Sequence, residues 1–177
     1  MSQIEYFWII IVLLFGVVGI VRTYSRELGV TTMCVAALLL LLQFGDKILM
    51  VLQDHFADDF SWLISPRFAA GFYVVVFLLV VFISYQGITL AFKGNAPKGA
   101  VSHLLGLIVG LINGYFIAGT VWFYLHRYDY PLGLVDGSNL SRVAQRIIQY
   151  LPPRVFEPQP GYLLGLLLLL LILSVWR

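Results

Sequence analysis

The densest set of chemically capable side chains in this sequence is Asp54, His55, Asp58 and Asp59. Carboxylates with one imidazole are donors that hold divalent cations. Helical spacing would pair Asp54 with Asp58 and His55 with Asp59. The four sit in an acidic stretch between apolar runs, where a solvated boundary is the commoner role, so neither a metal site nor any other cofactor is expected. His103 and His126 lie apart in sequence and read as interfacial residues. Cys34 is the only cysteine; no internal disulfide is possible, and within the apolar run 31–42 it reads as a small buried hydrophobe. No P-loop, HExxH, GxSxG or CxxC pattern occurs, and no candidate nucleophile has a base near it in sequence. The chain is expected not to be an enzyme.

The more informative residues are those suited to work inside or beside a bilayer. Gly106, Gly110 and Gly114 form a GxxxGxxxG run, which lines one helix face with small residues and lets another backbone approach closely. Two roles fit this face: packing within the chain, or self-association. Asn113 stands beside it. An amide at that depth needs a partner, and Ser84, Tyr85, Gln86 and Thr89 are the candidates by depth. Interhelical hydrogen bonding is the plain reading of this group; a polar path for a solute is the sharper one. Arg22, Arg26 and Glu27 fall at a predicted membrane boundary, where arginines hold lipid phosphates or the acidic groups of a partner.

Several apolar elements must position these residues. Of 177 residues, 60% are hydrophobic and only 11% charged, too few charges to cover a water-facing surface. The net charge of +2 is too small and scattered for a nucleic-acid-binding face. Apolar runs at 6–21, 28–44, 68–92 and 101–125 predict four transmembrane helices, and the nearly pure Leu run 162–176 predicts a short fifth, with a re-entrant or surface-lying arm as the alternative. The first run has no basic leader and no Ala-x-Ala site, so it reads as a retained helix rather than a signal peptide. Apolar residues from Ile48 to Leu63, interleaved with acids, predict a helix lying in the interface. Ser138 or Asn139 is expected to cap a short amphipathic helix running to Tyr150. The fold class is therefore an all-α polytopic membrane protein, a bundle of four to five transmembrane helices with interfacial amphipathic helices. Residues 1–126 form the four-helix membrane domain, 127–161 an extramembrane or interfacial segment, and 162–177 the fifth helix.

Basic residues favour the cytoplasmic side. Loop one carries Arg22 and Arg26 against Glu27, and loop three, around Lys93 and Lys98, is purely basic, whereas loop two is acidic. Loops one and three are thus expected in the cytoplasm and the N-terminus outside. Arg127, Arg142, Arg146 and Arg154 pull the other way. No acid lies in the middle of a predicted helix, which argues against a proton-coupled carrier.

The run Arg22-Thr-Tyr-Ser-Arg26-Glu27-Leu28 resembles the Arg-Gly-x-x-Arg-Glu turn after the first helix of the colicin V production protein family. Leu105, Gly106, Gly110 and Gly114 are similar to that family's Leu-Gly-x-x-x-Gly-x-x-x-Gly segment. The likeness covers roughly residues 6–125. Thr23 stands where the family usually has Gly, Ser102-His103 where an Asp-Arg pair is common, and Asn113 where an Arg often precedes the last glycine. The resemblance implies a bacterial inner-membrane protein linked to colicin V production or export and envelope maintenance. The glycine face, the basic turn and the amphipathic segments suit a scaffold or accessory subunit that meets the lipid bilayer and either a membrane-protein partner or further copies of itself, without nucleic acid. The alternative is a transporter or channel component with a path near Asn113 and residues 84–89.

Overall fold

The computed structural model describes residues 3–56, 58–87, 99–133 and 135–175. Among them there are seven α-helices and no strand: α1 (Gln3–Arg22), α2 (Tyr24–Phe56), α3 (Pro66–Gln86), α4 (Ala100–Arg127), α5 (Arg142–Gln149), α6 (Pro152–Phe156) and α7 (Gly161–Val175). The helices α1 to α4 are each long and apolar enough to cross a membrane. Their outward faces are apolar as well: Phe7, Leu14 and Val21 of α1 are 65%, 58% and 77% exposed. In water such surface would drive aggregation, whereas in lipid it is the ordinary outer surface of a bundle. The chain is a helical membrane protein. The basic third loop, with Lys93 and Lys98, and Thr89 lie outside the described residues.

The bundle is built around α4. Over the most apolar window of each helix, 56% of α4 is buried against only 17% of α1. Helix α1 runs antiparallel to α4, with Gly19 opposite Gly106, Phe15 and Gly16 opposite Gly110, and Val12 opposite Gly114. Helix α2 runs parallel to α4, so that Thr31 meets Asn113 near one end and Asp46 meets Arg127 near the other. A stacked ring pair, Tyr73 of α3 on Tyr124 of α4 at 4.2 Å, closes the third side.

Three local expectations are corrected. Among the described residues no separate helix forms between the second and third spans. Helix α2 instead continues unbroken for 33 residues, about 50 Å at 1.5 Å per residue, and only a 3-10 turn at Ser61–Ile64 precedes α3. The stretch after Leu42 contains no proline, and Gly45, its one weak helix former, is held by packing: a Cβ there would stand 2.5 Å from the Tyr73 ring. Since α2 ends at Phe56, the four-residue pairing of His55 with Asp59 does not arise on a helix, and no group of three potential metal ligands occurs among the described residues. The short amphipathic helix is capped by Ser141, whose hydroxyl accepts from the Ala144 N–H at 3.1 Å. Ser138 and Asn139 serve Asp136 instead, which accepts from the Ser138 N–H and hydroxyl and from the Asn139 amide. The Leu-rich run forms α7, a helix of 15 residues. It packs on α2 and buries Leu163 and Leu170.

Candidate functional site

Between α1 and α2 the chain turns on one residue, Thr23, at φ +79°. This is the left-handed region, which costs a β-branched residue strain that glycine avoids. The abrupt reversal sends Arg22, the last residue of α1, back across the first turn of α2 toward Glu27. Arg22 Nε lies 3.1 Å from Glu27 Oε1, an ion pair in which the N–H is not aligned for a hydrogen bond. A second guanidinium nitrogen donates to the Tyr85 carbonyl at 2.9 Å, and the guanidinium carbon sits 4.5 Å from the centre of the Tyr85 ring.

Glu27 is the hub of this arrangement and is completely buried. Its Oε2 accepts from Asn113 Nδ2 at 2.8 Å and from the Tyr85 hydroxyl at 3.1 Å. Asn113 Nδ2 also donates to the Glu27 carbonyl at 3.0 Å. The Thr31 hydroxyl donates to Asn113 Oδ1 at 2.7 Å, with the Glu27 carbonyl 3.0 Å away as its other acceptor. One ion pair and its hydrogen bonds thus join α1, α2, α3 and α4. An isolated charge here would be very costly; Arg22 supplies the opposite charge beside Oε1, and Asn113 and Tyr85 supply hydrogen bonds to Oε2.

No family model matches this chain, and no curated protein or solved structure matches it either.

The residues singled out from sequence separate into three groups. Gly106, Gly110 and Gly114 face α1 of the same chain, backbone against backbone: a Cβ at Gly106 would lie 2.3 Å from the Gly19 carbonyl oxygen, and one at Gly110 2.3 Å from that of Phe15. Gly16 and Gly19, which complete the contact from the α1 side, were missed as a packing pair, although their i,i+3 spacing was visible. Asn113 and Glu27 are joined at the centre. Asn113 finds its partners on α2 rather than among the α3 candidates; of those, Tyr85 reaches the cluster through Glu27, Ser84 is buried elsewhere on α3, and Gln86 is exposed. Arg26 is exposed, free to meet lipid or a partner, whereas Glu27 is turned inward and faces neither.

A buried acid was missed by the sequence reading. Glu27 was assigned to the boundary because Arg22 and Arg26 flank it, and a charge three residues into a helix was read as part of the loop. The available signal was Asn113, an amide in an apolar helix in need of a partner of matching depth. A further buried acid, Glu5, bonds to the Ser141 hydroxyl and so ties the start of α1 to the cap of α5.

The polar contacts mark two levels. Measured where α2 touches α4, the Thr31–Asn113 and Asp46–Arg127 contacts are about 22 Å apart along α2 and about 21 Å apart along α4. At the upper level Asp46 meets Arg127 at 3.4 Å and accepts from the Tyr73 hydroxyl.

Proposed function

We propose that this protein is a non-catalytic scaffold or accessory subunit of a bacterial inner membrane, of the colicin V production type, with its N-terminus outside. The observation that carries the reading is the closed state of the interior. The polar side chains of the Glu27 cluster are engaged with one another, and the glycine face of α4 is filled by α1. Such an interior is a tie that holds four helices in register. What remains for interaction is the outer surface: exposed Arg26 at one end and the projecting end of α2 with its exposed acids and aromatic residues at the other. The positive φ at Thr23 adds support to the family resemblance, because the family's usual glycine is the residue such a turn prefers.

Gentle detergent extraction followed by identification of co-purifying membrane proteins tests the proposal. A stoichiometric companion lost on Arg26→Glu, with the fold intact, supports it. Solute flux in vesicles containing the protein alone refutes it. A second reading, a transporter or channel component, has one specific observation in its favour: an ionisable side chain, Glu27, buried beside Asn113 inside the bundle. Flux abolished by Asn113→Leu without loss of folding would establish that alternative.

A further inference from the structure

Where α4 leaves the bundle, a cleft of about 460 Å³ opens between it, α5 and α6. Its polar lining is Arg127, Arg154, Gln145, Gln149, His126 and Glu157, over an apolar floor that includes Phe123 and Ile148. The two guanidinium groups converge on the Glu157 carboxylate, Arg127 on Oε1 and Arg154 on Oε2. Arg127 is placed by the end of α4 and Arg154 by α6, whose fold-back is fixed by Pro152 packed on Gly119 and by the Phe116–Phe156 ring stack.

These arginines are only loosely occupied. Glu157 lies 3.5 Å from Arg127 and 3.6 Å from Arg154, and Asp46 lies 3.4 Å from Arg127. A well-formed charge-assisted hydrogen bond is about 2.7–2.9 Å long, and each guanidinium carries five N–H donors. Donor capacity therefore remains on both arginines. The cleft also stands at a defined height. Arg127 is level with Asp46 and is the last residue of α4, a helix of 28 residues and so longer than the roughly 20 that cross the hydrocarbon core, which brings its end to the depth of lipid headgroups. Amphipathic α5, with Arg142 and Arg146 exposed, lies alongside.

We propose that this cleft binds a phosphate group, its oxygens held by the remaining N–H donors of Arg127 and Arg154, with Glu157 released to meet a cationic substituent where the ligand has one. A zwitterionic phospholipid headgroup meets every part of this description, the apolar floor taking the start of its glycerol and acyl portion. Free inorganic phosphate shares the chemistry of the arginines alone. The inference rests on the membrane position of the bundle and is independent of the scaffold role.

The test uses the full chain in phosphate-free detergent, titrated calorimetrically with dihexanoyl phosphatidylethanolamine, with dihexanoylglycerol and with inorganic phosphate. Saturable binding of the phospholipid is expected, without binding of the diacylglycerol. Arg154→Gln is the decisive variant, since this side chain is 62% exposed and its removal leaves the bundle intact. It should weaken binding about tenfold or more, the worth of one charge-assisted hydrogen bond. Arg146→Gln, which does not line the cleft, should leave affinity unchanged. Inorganic phosphate bound as tightly as the phospholipid, with the same dependence on Arg154, would identify the free ion as the ligand. Phospholipid binding indifferent to Arg154→Gln, or no binding of either phosphate compound, overturns the proposal.

Discussion

Replacing Gly110 with alanine adds one methyl group at the closest point between α1 and α4. That carbon would stand 2.3 Å from the Phe15 carbonyl oxygen, 3.0 Å from the Gly19 Cα and 3.2 Å from the Gly16 Cα. All three are backbone atoms, so no side chain can swing aside, and α1 must retreat by about 1 Å to reach ordinary contact. A gap of 0.5–1 Å forfeits a quarter to a half of each dispersion contact, and inside lipid no apolar burial compensates. Overpacking of this kind costs about 1–3 kcal/mol, and the loss spreads along a helix pair already in backbone contact, so about 2–3 kcal/mol is expected for Gly110→Ala. The matched control is Gly71→Ala in α3, where an added Cβ meets nothing within 4 Å and the better helix propensity of alanine contributes up to about 1 kcal/mol of stability. Reversible unfolding in mixed micelles, followed by tryptophan fluorescence, measures both. A Gly110→Ala variant within about 0.5 kcal/mol of the parent chain would refute the close-contact account.

Thr23→Gly should stabilise the protein by about 1 kcal/mol, by releasing a β-branched residue from the left-handed region; the same unfolding assay reads it, and a destabilised variant contradicts the turn geometry. Glu27→Leu leaves Arg22 without its counter-charge and removes one of the acceptors of the Asn113 amide, and should cost about 3 kcal/mol or more. Adding Arg22→Met should recover part of this, giving a coupling of about 1–3 kcal/mol in a double-mutant cycle, whereas strict additivity would mean that the pair does not interact. Cys34, with no exposed surface, should resist maleimide labelling in the folded protein and react only after denaturation, as mass spectrometry would show.

How far the sequence reveals this architecture depends on the length scale of the signal. The four spans are legible because the bilayer imposes one simple rule, about 20 apolar residues for each crossing. The close approach of α4 was legible in Gly106, Gly110 and Gly114, but its occupant was not, since identifying α1 requires knowing which helix faces which. Helix ends were the weakest point. Gly45 and Asp46 resemble a boundary locally, and only the Tyr73 ring lying against Gly45 shows why α2 continues. The polar cluster was half legible: Asn113 demanded a partner, yet Glu27 looked interfacial because the reversal at Thr23, which folds Arg22 over it, leaves no trace in composition.

The pairing of α1 with α4 also constrains how the membrane protein is made. Helix α1 leaves the ribosome before its mate, which begins at Ala100. Until α4 is inserted, the small-residue groove of α1 faces lipid and the Glu27 carboxylate lacks the amide of Asn113. The half-finished chain therefore carries a charged pair without its hydrogen-bonding lid, a species that an insertion chaperone or a quality-control protease can recognise. Insertion of α4, rather than of the early helices, is the step that removes that mark.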